Sequence, residues 1–448
     1  MLPHQLWVID HGVNLSLFSK SLQLAIGVGE PMAGVGASGG TLARLSRDGT
    51  DGCSAGLLPL RAANEARASS KAALARKQRV LIVSGYHDYR TRKRASIHQI
   101  ADGLVRSGFD VSFVSTRFSL LSKLTSDSRL FLWDKANRIE EADGVECLLW
   151  RTLVHPFSSR VHMLEVLNGH AYDFYSELRN PDFDKLVARA DYVLVESGTA
   201  AIYLRRIRRT NPNAKIIYYA ADRLATINAH PFVRRRLLED EAMIDHFSLR
   251  AAQLKDDFPN AAGRMYKAGF GINASDFAGI GPSPYAPGER VAVSVGSMLF
   301  DCTVFQLAAA NFPELQFHVI GSGARFEAPR NVHIHGEMPF ERTLAYVKHA
   351  SIGVAAYGAV AGADYLAESS LKLAQFDYCG LPSVCPHFAS GTSPGRIGYE
   401  PGNEASITSA VSRALSMVGR VKKRSFPSWE DVALQVIEPE RHGATNLG

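Results

Sequence analysis

Asp222 stands just past the apolar run Lys215-Ile-Ile-Tyr-Tyr219, where a buried strand delivers a carboxylate to the edge of a sheet. A carboxylate placed there accepts the proton of an attacking hydroxyl, a role worth roughly 10²- to 10⁴-fold in rate. The same position equally suits a cap for the following helix. Glu196, in Val195-Glu-Ser-Gly198, occupies an equivalent strand end and competes for the role of base. His87 and Asp88, after the first strand, either contact an acceptor or order their own loop.

The second chemistry-bearing group is a cation. In Ala367-Glu-Ser-Ser-Leu-Lys-Leu-Ala-Gln-Phe-Asp-Tyr-Cys-Gly-Leu-Pro382, Ser369 and Ser370 are helix-capping residues and Gly380 is a stop signal before a short strand from Ser383. Lys372 then falls in the first helical turn, where its charge opposes the helix dipole. A lysine beside free N–H groups at a helix N-terminus suits a nucleotide phosphate; the competing reading is an amphipathic helix with a solvated lysine. Gly296-Ser297, Gly321-Ser-Gly323 and Gly336-Glu337 follow three successive strands, and glycine lets backbone N–H groups approach a phosphate closely. Glu337 is placed to hold a ribose diol or to cap a helix. Tyr357, past another strand end, is a ligand contact or an interface aromatic. The full GxGxxG pattern is absent, so no dinucleotide site is indicated.

These groups need a scaffold of strands. Val80–Ser84, a polar loop, a helix from about Arg94 to Ser107 and a strand at Val111–Ser115 form a β-α-β unit. Further strands are expected at Glu146–Trp150, Tyr192–Val195 and Lys215–Tyr219. A Gly/Pro-rich linker over residues 269–288 follows. The rhythm then restarts with Val291–Val295, a helix near 303–311, Gln316–Ile320, Val332–His335 and Ile352–Ala356. The expected fold is α/β: two Rossmann-like domains facing a central cleft, where strand C-terminal ends bind ligands. The division is 1–78 as a poorly structured extension, 79–270 and 271–425 as the two domains, and 426–448 as a C-terminal helix and tail.

The 448 residues exceed one typical core. No run approaches the length of a membrane span, and no secretory signal opens the chain. Five scattered cysteines show no ligand spacing, so neither a disulfide framework nor a metal site is expected. Residues 79–270 carry 29 basic against 23 acidic residues, and residues 271–448 carry 13 against 16. The excess is clustered at Arg90, Arg92, Lys93 and Arg94, at Arg205, Arg206, Arg208 and Arg209, and at Arg234, Arg235 and Arg236. Each run alone reads as a solvated helix face; together they favour an anionic membrane surface or a pyrophosphate. Nucleic acid is disfavoured, because no aromatic-interleaved platform accompanies the charge.

The order of these motifs resembles the GT-B glycosyltransferases, and among them the β-1,2-glucuronosyltransferases of xanthan assembly. The likeness runs over roughly residues 79–440. It includes Ser84-Gly-Tyr-His-Asp-Tyr-Arg-Thr-Arg-Lys-Arg-Ala-Ser-Ile97, Trp150-Arg-Thr-Leu-Val-His-Pro-Phe157, Glu196-Ser-Gly198 and Ala221-Asp-Arg-Leu-Ala-Thr-Ile-Asn228. Val295-Gly-Ser-Met-Leu-Phe-Asp301, His318-Val-Ile-Gly-Ser-Gly323, Gly336-Glu-Met338, Ser370-Leu-Lys372 and Gly398-Tyr-Glu-Pro-Gly-Asn403 complete it. The resemblance implies an inverting, metal-independent transferase without cofactor, with Asp222 as base. It implies that Met298, Glu337, Tyr357, Leu371, Lys372 and Gln375 line a UDP-sugar site. It further implies transfer from UDP-glucuronate to a polyprenyl-diphosphate-linked oligosaccharide in exopolysaccharide biosynthesis. The enzyme would sit peripherally on the cytoplasmic face of the inner membrane. His87, Arg90, Arg92, Lys93, Arg94 and Glu196 are its expected acceptor- and membrane-side residues. Two departures stand out: Leu371 replaces a methionine, and Arg223 replaces a glycine beside the base. Residues 1–78 have no counterpart in it. Another UDP-sugar donor, a UDP-sugar epimerase and a non-catalytic sugar-nucleotide sensor are the alternatives.

Overall fold

Val80, Leu81, Ile82 and Val83 are buried on both faces of their strand, as the near-continuous apolar runs of parallel sheets require. The computed structural model describes residues 76–125, 127–157 and 162–448, so the extension expected over residues 1–78 lies outside it up to residue 75. The first strands are β1 (Arg79–Ser84), β2 (Asp110–Phe118), β3 (Ile139–Ala142), β4 (Val145–Arg151), β5 (Tyr192–Glu196), β6 (Lys215–Ala220), β7 (His246–Leu249) and β8 (Met265–Lys267). The second set is β9 (Arg290–Val295), β10 (Leu315–Ile320), β11 (Val332–His335), β12 (Ile352–Val354), β13 (Ser383–Pro386) and β14 (Arg396–Tyr399), with β15 (Thr445–Asn446) at the end of the chain.

They form two sheets. The first has the order β15-β8-β7-β6-β5-β1-β2-β4-β3, and the second β11-β10-β9-β12-β13-β14. Every pairing is parallel except β3 with β4 and β15 with β8. Strand order reverses between β1 and β5 in one sheet and between β9 and β12 in the other, and ligands of open α/β sheets bind at such reversals. The strands expected from sequence are present, β11 with the expected ends and the others with at least one end shifted by one to three residues. The one at Ile352 stops at Val354, two residues short. The unanticipated strands are short: β3, β7, β8, β14 and β15 have four residues or fewer.

Helix α1 (Ser96–Arg106) buries Ile97, Ile100, Ala101 and Leu104, the one-face spacing of a surface helix. It packs on α8 (Trp429–Ile437), near the end of the chain, and Gly103 makes the crossing possible. A Cβ there would lie 2.5 Å from the Trp429 carbonyl oxygen. The linker over 269–288 is more ordered than its Gly/Pro content suggests. It contains α3 (Ala274–Ala278), whose Phe277 packs on Tyr378 at 4.7 Å between ring centroids. Its backbone also pairs with the returning chain, Ile272 N–H donating to Pro427 O at 2.9 Å.

The remaining elements that shape the site are α2 (Pro231–Glu239), α4 (Thr303–Asn311), α5 (Phe340–His349), α6 (Leu371–Cys379) and α7 (Glu404–Ser416). Helix α6 lies across the β12 strand because Gly353 has no side chain; a Cβ there would meet Phe376 at 2.5 Å. Gly380 adopts φ +69° and ends α6, the left-handed stop that glycine provides without steric cost.

Candidate active site

Asp222 follows β6 by two residues, in an irregular turn. The next helix, α2, begins nine residues later and takes its cap from His230, whose Nδ1 accepts from Phe232 N–H at 3.0 Å. Asp222 therefore caps nothing, and the structural alternative for it falls away. Its Oδ1 accepts a 3.1 Å hydrogen bond from the Tyr365 hydroxyl, and Oδ2 has no hydrogen bond among the described residues. Tyr365 is fully buried and belongs to the second domain; the same hydroxyl pairs with Thr226 Oγ1 at 2.8 Å. Burial pushes the Asp222 carboxyl above the ordinary range. The Tyr365 hydrogen bond pulls it back, nearby Glu196 pushes it up and His87 pulls it down.

Glu196 sits where strand order reverses in the first sheet. Ser84 Oγ, at the end of β1, donates to it, and His87 Nδ1 lies 3.0 Å from Oε1 and 3.1 Å from Oε2. Burial opposes a charge on His87, but Glu196 outweighs it and the imidazole is held above its usual value. With its oxygens engaged by Ser84 and His87, Glu196 is committed to its neighbours. Asp222 keeps a free oxygen. Of the two carboxylates, Asp222 is the one with an oxygen left without a partner among the described residues.

Across the cleft, Ser370 caps α6, its Oγ accepting from Leu373 N–H at 3.3 Å and pairing with the Tyr357 hydroxyl. Lys372 in the first turn is only 9% exposed, and its Nζ has no hydrogen-bond partner among the described residues. The ammonium lies 4.9 Å from the Tyr357 ring centroid. Burial, and secondarily the charge of Lys93, push its pKa down to about 7. A buried unpaired cation is costly unless an anion arrives to meet it. The helix N-terminus adds N–H groups that have no intrahelical acceptor.

Met298 lies half-buried in the loop after Gly296. That loop is tied to the Tyr357 segment by Asp301 N–H to Ala356 O at 3.1 Å and Gly358 N–H to Leu299 O at 2.7 Å. Leu371 is half-buried, and Gln375 is buried one turn further along α6. Glu337 is exposed after β11, 3.5 Å from Lys93 Nζ. Met298, Tyr357, Leu371, Lys372 and Gln375 therefore share one region of the second domain, with Glu337 on its rim.

Several basic residues are placed otherwise than the sequence suggested. Arg90 is not available to a membrane: its guanidinium is 8% exposed and pairs with Asp88 and Glu140 at 2.9 Å each. Arg94 is tied to Asp102 and lies over the Tyr89 ring. Arg92 is exposed. Lys93 turns into the cleft rather than outward. In the second run, Arg205, Arg206, Arg208 and Arg209 pair with Asp240, Asp184, Asp245 and Glu177. Arg236 is buried against Asp173, while Arg234 is exposed beside a cavity of about 300 Å³ that also borders Asp222. Most members of these runs form ion pairs within the chain, buried at Arg90, Arg206 and Arg236 and exposed at Arg209 and Arg235, where the solvated face holds. Arg223, beside the base, crosses between domains. It holds Asp257 at 3.1 Å and donates to Gly362 O at 3.1 Å. Tyr365 was missed by the sequence reading, because nothing in Gly362-Ala-Asp-Tyr365 distinguishes it from ordinary loop. Among the described residues no helix is long and apolar enough to cross a membrane, and no cluster of His, Cys, Asp or Glu could hold a metal ion.

Two doubly wound sheets, with Asp222 on one wall and the buried Lys372 on the other, make the GT-B fold of glycosyltransferases. Solved structures with that architecture superpose on it. The E. coli trehalose-6-phosphate structure bound with UDP-2-fluoro glucose aligns at TM-score 0.52 and 11% identity, over 80% of this chain and 95% of that one. An α,α-trehalose-phosphate synthase (UDP-forming) from Burkholderia xenovorans aligns at TM-score 0.52 and 12% identity, over 76% and 93%. At such identities the likeness concerns fold alone. Residues 82–250 match the family described as "Glucuronosyltransferase GumK, N-terminal domain". A UDP-glucuronate:glycolipid 2-beta-glucuronosyltransferase of Xanthomonas campestris pv. campestris is 37% identical over 369 residues, 82% of this chain and 91% of the relative. The chain belongs to the GumK glucuronosyltransferase family.

Proposed function

We propose that this enzyme moves glucuronate from UDP-glucuronate to a polyprenyl-diphosphate-linked oligosaccharide in exopolysaccharide assembly, inverting the anomeric centre. The observation that carries this reading is the divided site. Asp222, with one oxygen free, stands on the first domain, and Lys372, buried and unpaired, stands on the second. The 37% identical relative, named for UDP-glucuronate and a glycolipid, supports the donor and the class of acceptor.

In the mechanism we infer, Asp222 removes the proton of an acceptor hydroxyl as its oxygen attacks the anomeric carbon. The bond to the UDP oxygen breaks on the opposite face, so a single displacement inverts configuration. Lys372 and the N-terminus of α6 meet the charge that develops on the departing diphosphate, and no metal ion is assigned to that task. Met298, Glu337, Tyr357, Leu371 and Gln375 would hold the nucleotide.

We place the enzyme peripherally, on the cytoplasmic face of the inner membrane. Leu153, Val154 and Phe174 of the first domain support contact with an anionic lipid surface: they are 80%, 58% and 71% exposed around one apolar cavity of about 730 Å³. The test is mass spectrometry of the lipid-linked product made from defined UDP-sugars. The expected result is a gain of one hexuronate residue from UDP-glucuronate and little product from UDP-glucose. Equal or better use of UDP-glucose would sink the donor assignment.

A further inference from the structure

Lys93 leaves the first domain on the loop between β1 and α1 and ends among the strand-end turns of the second. Its Nζ donates to Ser297 Oγ at 3.2 Å and lies 3.5 Å from Glu337 Oε1. Ser297 follows β9 and Glu337 follows β11, the strands on either side of β10 with its Gly321-Ser-Gly323 turn. One first-domain side chain thus reaches two of the three glycine turns that face the cleft.

The charges there do not balance. Two ammonium groups, Lys93 and Lys372, act on the same space, and the Lys93 charge is felt at Lys372 as a repulsion. Glu337 offsets Lys93 only partly, since both side chains are about half exposed, 49% and 51%. Lys372 is nine-tenths buried and has no partner among the described residues. If Glu337 turns to a ribose diol, which is neutral, Lys93 faces Lys372 with nothing between them. Only an anion removes that repulsion.

We propose that Lys93 is a donor-binding residue supplied by the opposite domain, exchanging Glu337 for the anionic portion of the sugar nucleotide when the donor binds. The anion is either the diphosphate or the uronate carboxylate, both of which two converging ammonium groups recognise. This rests on the donor assigned above. Lys93 and Lys372 then grip the donor from both walls, so donor binding draws the domains together.

Calorimetric titration of UDP, UDP-glucose and UDP-glucuronate into the wild-type chain and the Lys93→Met and Lys93→Arg variants tests it. Lys93 is half exposed, so its loss should leave the melting temperature unchanged. Lys93→Met is expected to weaken UDP-glucuronate about tenfold, near 1.4 kcal/mol, and Lys93→Arg to restore most of it. An equal loss for UDP and UDP-glucose identifies the diphosphate as the anion. A loss confined to UDP-glucuronate identifies the carboxylate and makes Lys93 the specificity residue. Unchanged affinity for all three ligands overturns the proposal. So does tighter binding, which would make Lys93 a competitor for Glu337. A wild-type chain that binds none of the three refutes the donor assignment itself, whatever the variants do.

Discussion

The Tyr365 hydroxyl donates to Asp222 Oδ1 across 3.1 Å, and the two residues belong to opposite domains. The proposed base is therefore positioned by the half of the molecule that carries Lys372 and the proposed donor site. With the domains together, this bond holds down a carboxyl that burial otherwise pushes toward its protonated form. Arg223 reinforces the arrangement from the next residue, joining Asp257 of the first domain to the Gly362 carbonyl of the second.

Tyr365→Phe should move the pH profile in a fixed direction. The tyrosine holds the Asp222 pKa down against burial, so its loss raises that pKa further. The base works only when ionised. The acid limb of kcat/KM should shift to higher pH, with the alkaline limb set by Lys372 left in place. A limb that stays in place, measured from pH 5 to 9, would show that Tyr365 does not set the base.

Asp222→Asn keeps the shape of the site and removes its proton acceptor. Transfer should fall by roughly 10²- to 10⁴-fold, while UDP binds within about twofold of wild type. Turnover and calorimetry on the same preparation check this, and substantial remaining turnover would reassign the base.

Lys372→Met should weaken UDP and yet stabilise the empty protein. The folded-state pKa of about 7 lies below the usual 10.5, so the folded chain below pH 7 carries a buried charge at a cost. Between pH 7 and 10.5 the unfolded chain binds more protons, and stability rises with pH across that window. The variant should melt higher than wild type, most clearly near pH 6, and should lose the pH slope. In the wild type, UDP affinity should decline as pH rises above about 7. Titrations in buffers of different ionisation enthalpy should detect proton uptake on binding.

Arg90→Ala separates structure from membrane attachment. Removing the guanidinium strands Asp88 and Glu140, a loss of about 3 kcal/mol for a buried pair. Thermal denaturation should show it, and co-sedimentation with anionic vesicles should not change. Lost vesicle binding by a fully folded variant would return Arg90 to the membrane surface.

Gly353→Ala drives a methyl group into Phe376, one turn beyond Lys372 on α6. Overpacking of this kind costs about 1–3 kcal/mol. Because the displaced helix carries Lys372, which we propose meets the UDP phosphates, UDP affinity should fall together with the melting temperature. A drop in melting temperature with unchanged affinity would show that α6 absorbs the strain without moving Lys372.

Much of this could be read from residue order, for reasons that are local. Continuous apolar runs marked β1, β5, β6 and β9, and Ser370 with Gly380 marked the ends of α6, since caps and stops act within a few residues. Asp222 and Lys372 stood out because a charged group beside a buried element needs a reason. What the chain concealed depends on distant partners. Tyr365 gains its role from a carboxylate 143 positions away. The arginine clusters looked like a surface because their carboxylates, Asp184, Asp240, Asp245 and Asp173, lie on other elements. The strands β3, β7, β8, β14 and β15 are too short for periodicity to speak.

Helix α8 and strand β15 come last in sequence, yet they pack on α1 and pair with β8 in the first sheet. The chain thus passes between the halves twice, and Ile272 N–H to Pro427 O joins the outgoing and returning passages. The second sheet, from β9 through β14, is an uninterrupted stretch of chain. The first is not: a fragment ending at residue 270 would leave α1 without Trp429 and β8 without its neighbour. Clipping the last twenty residues would accordingly injure the half that carries Asp222, not the half to which they are joined in sequence.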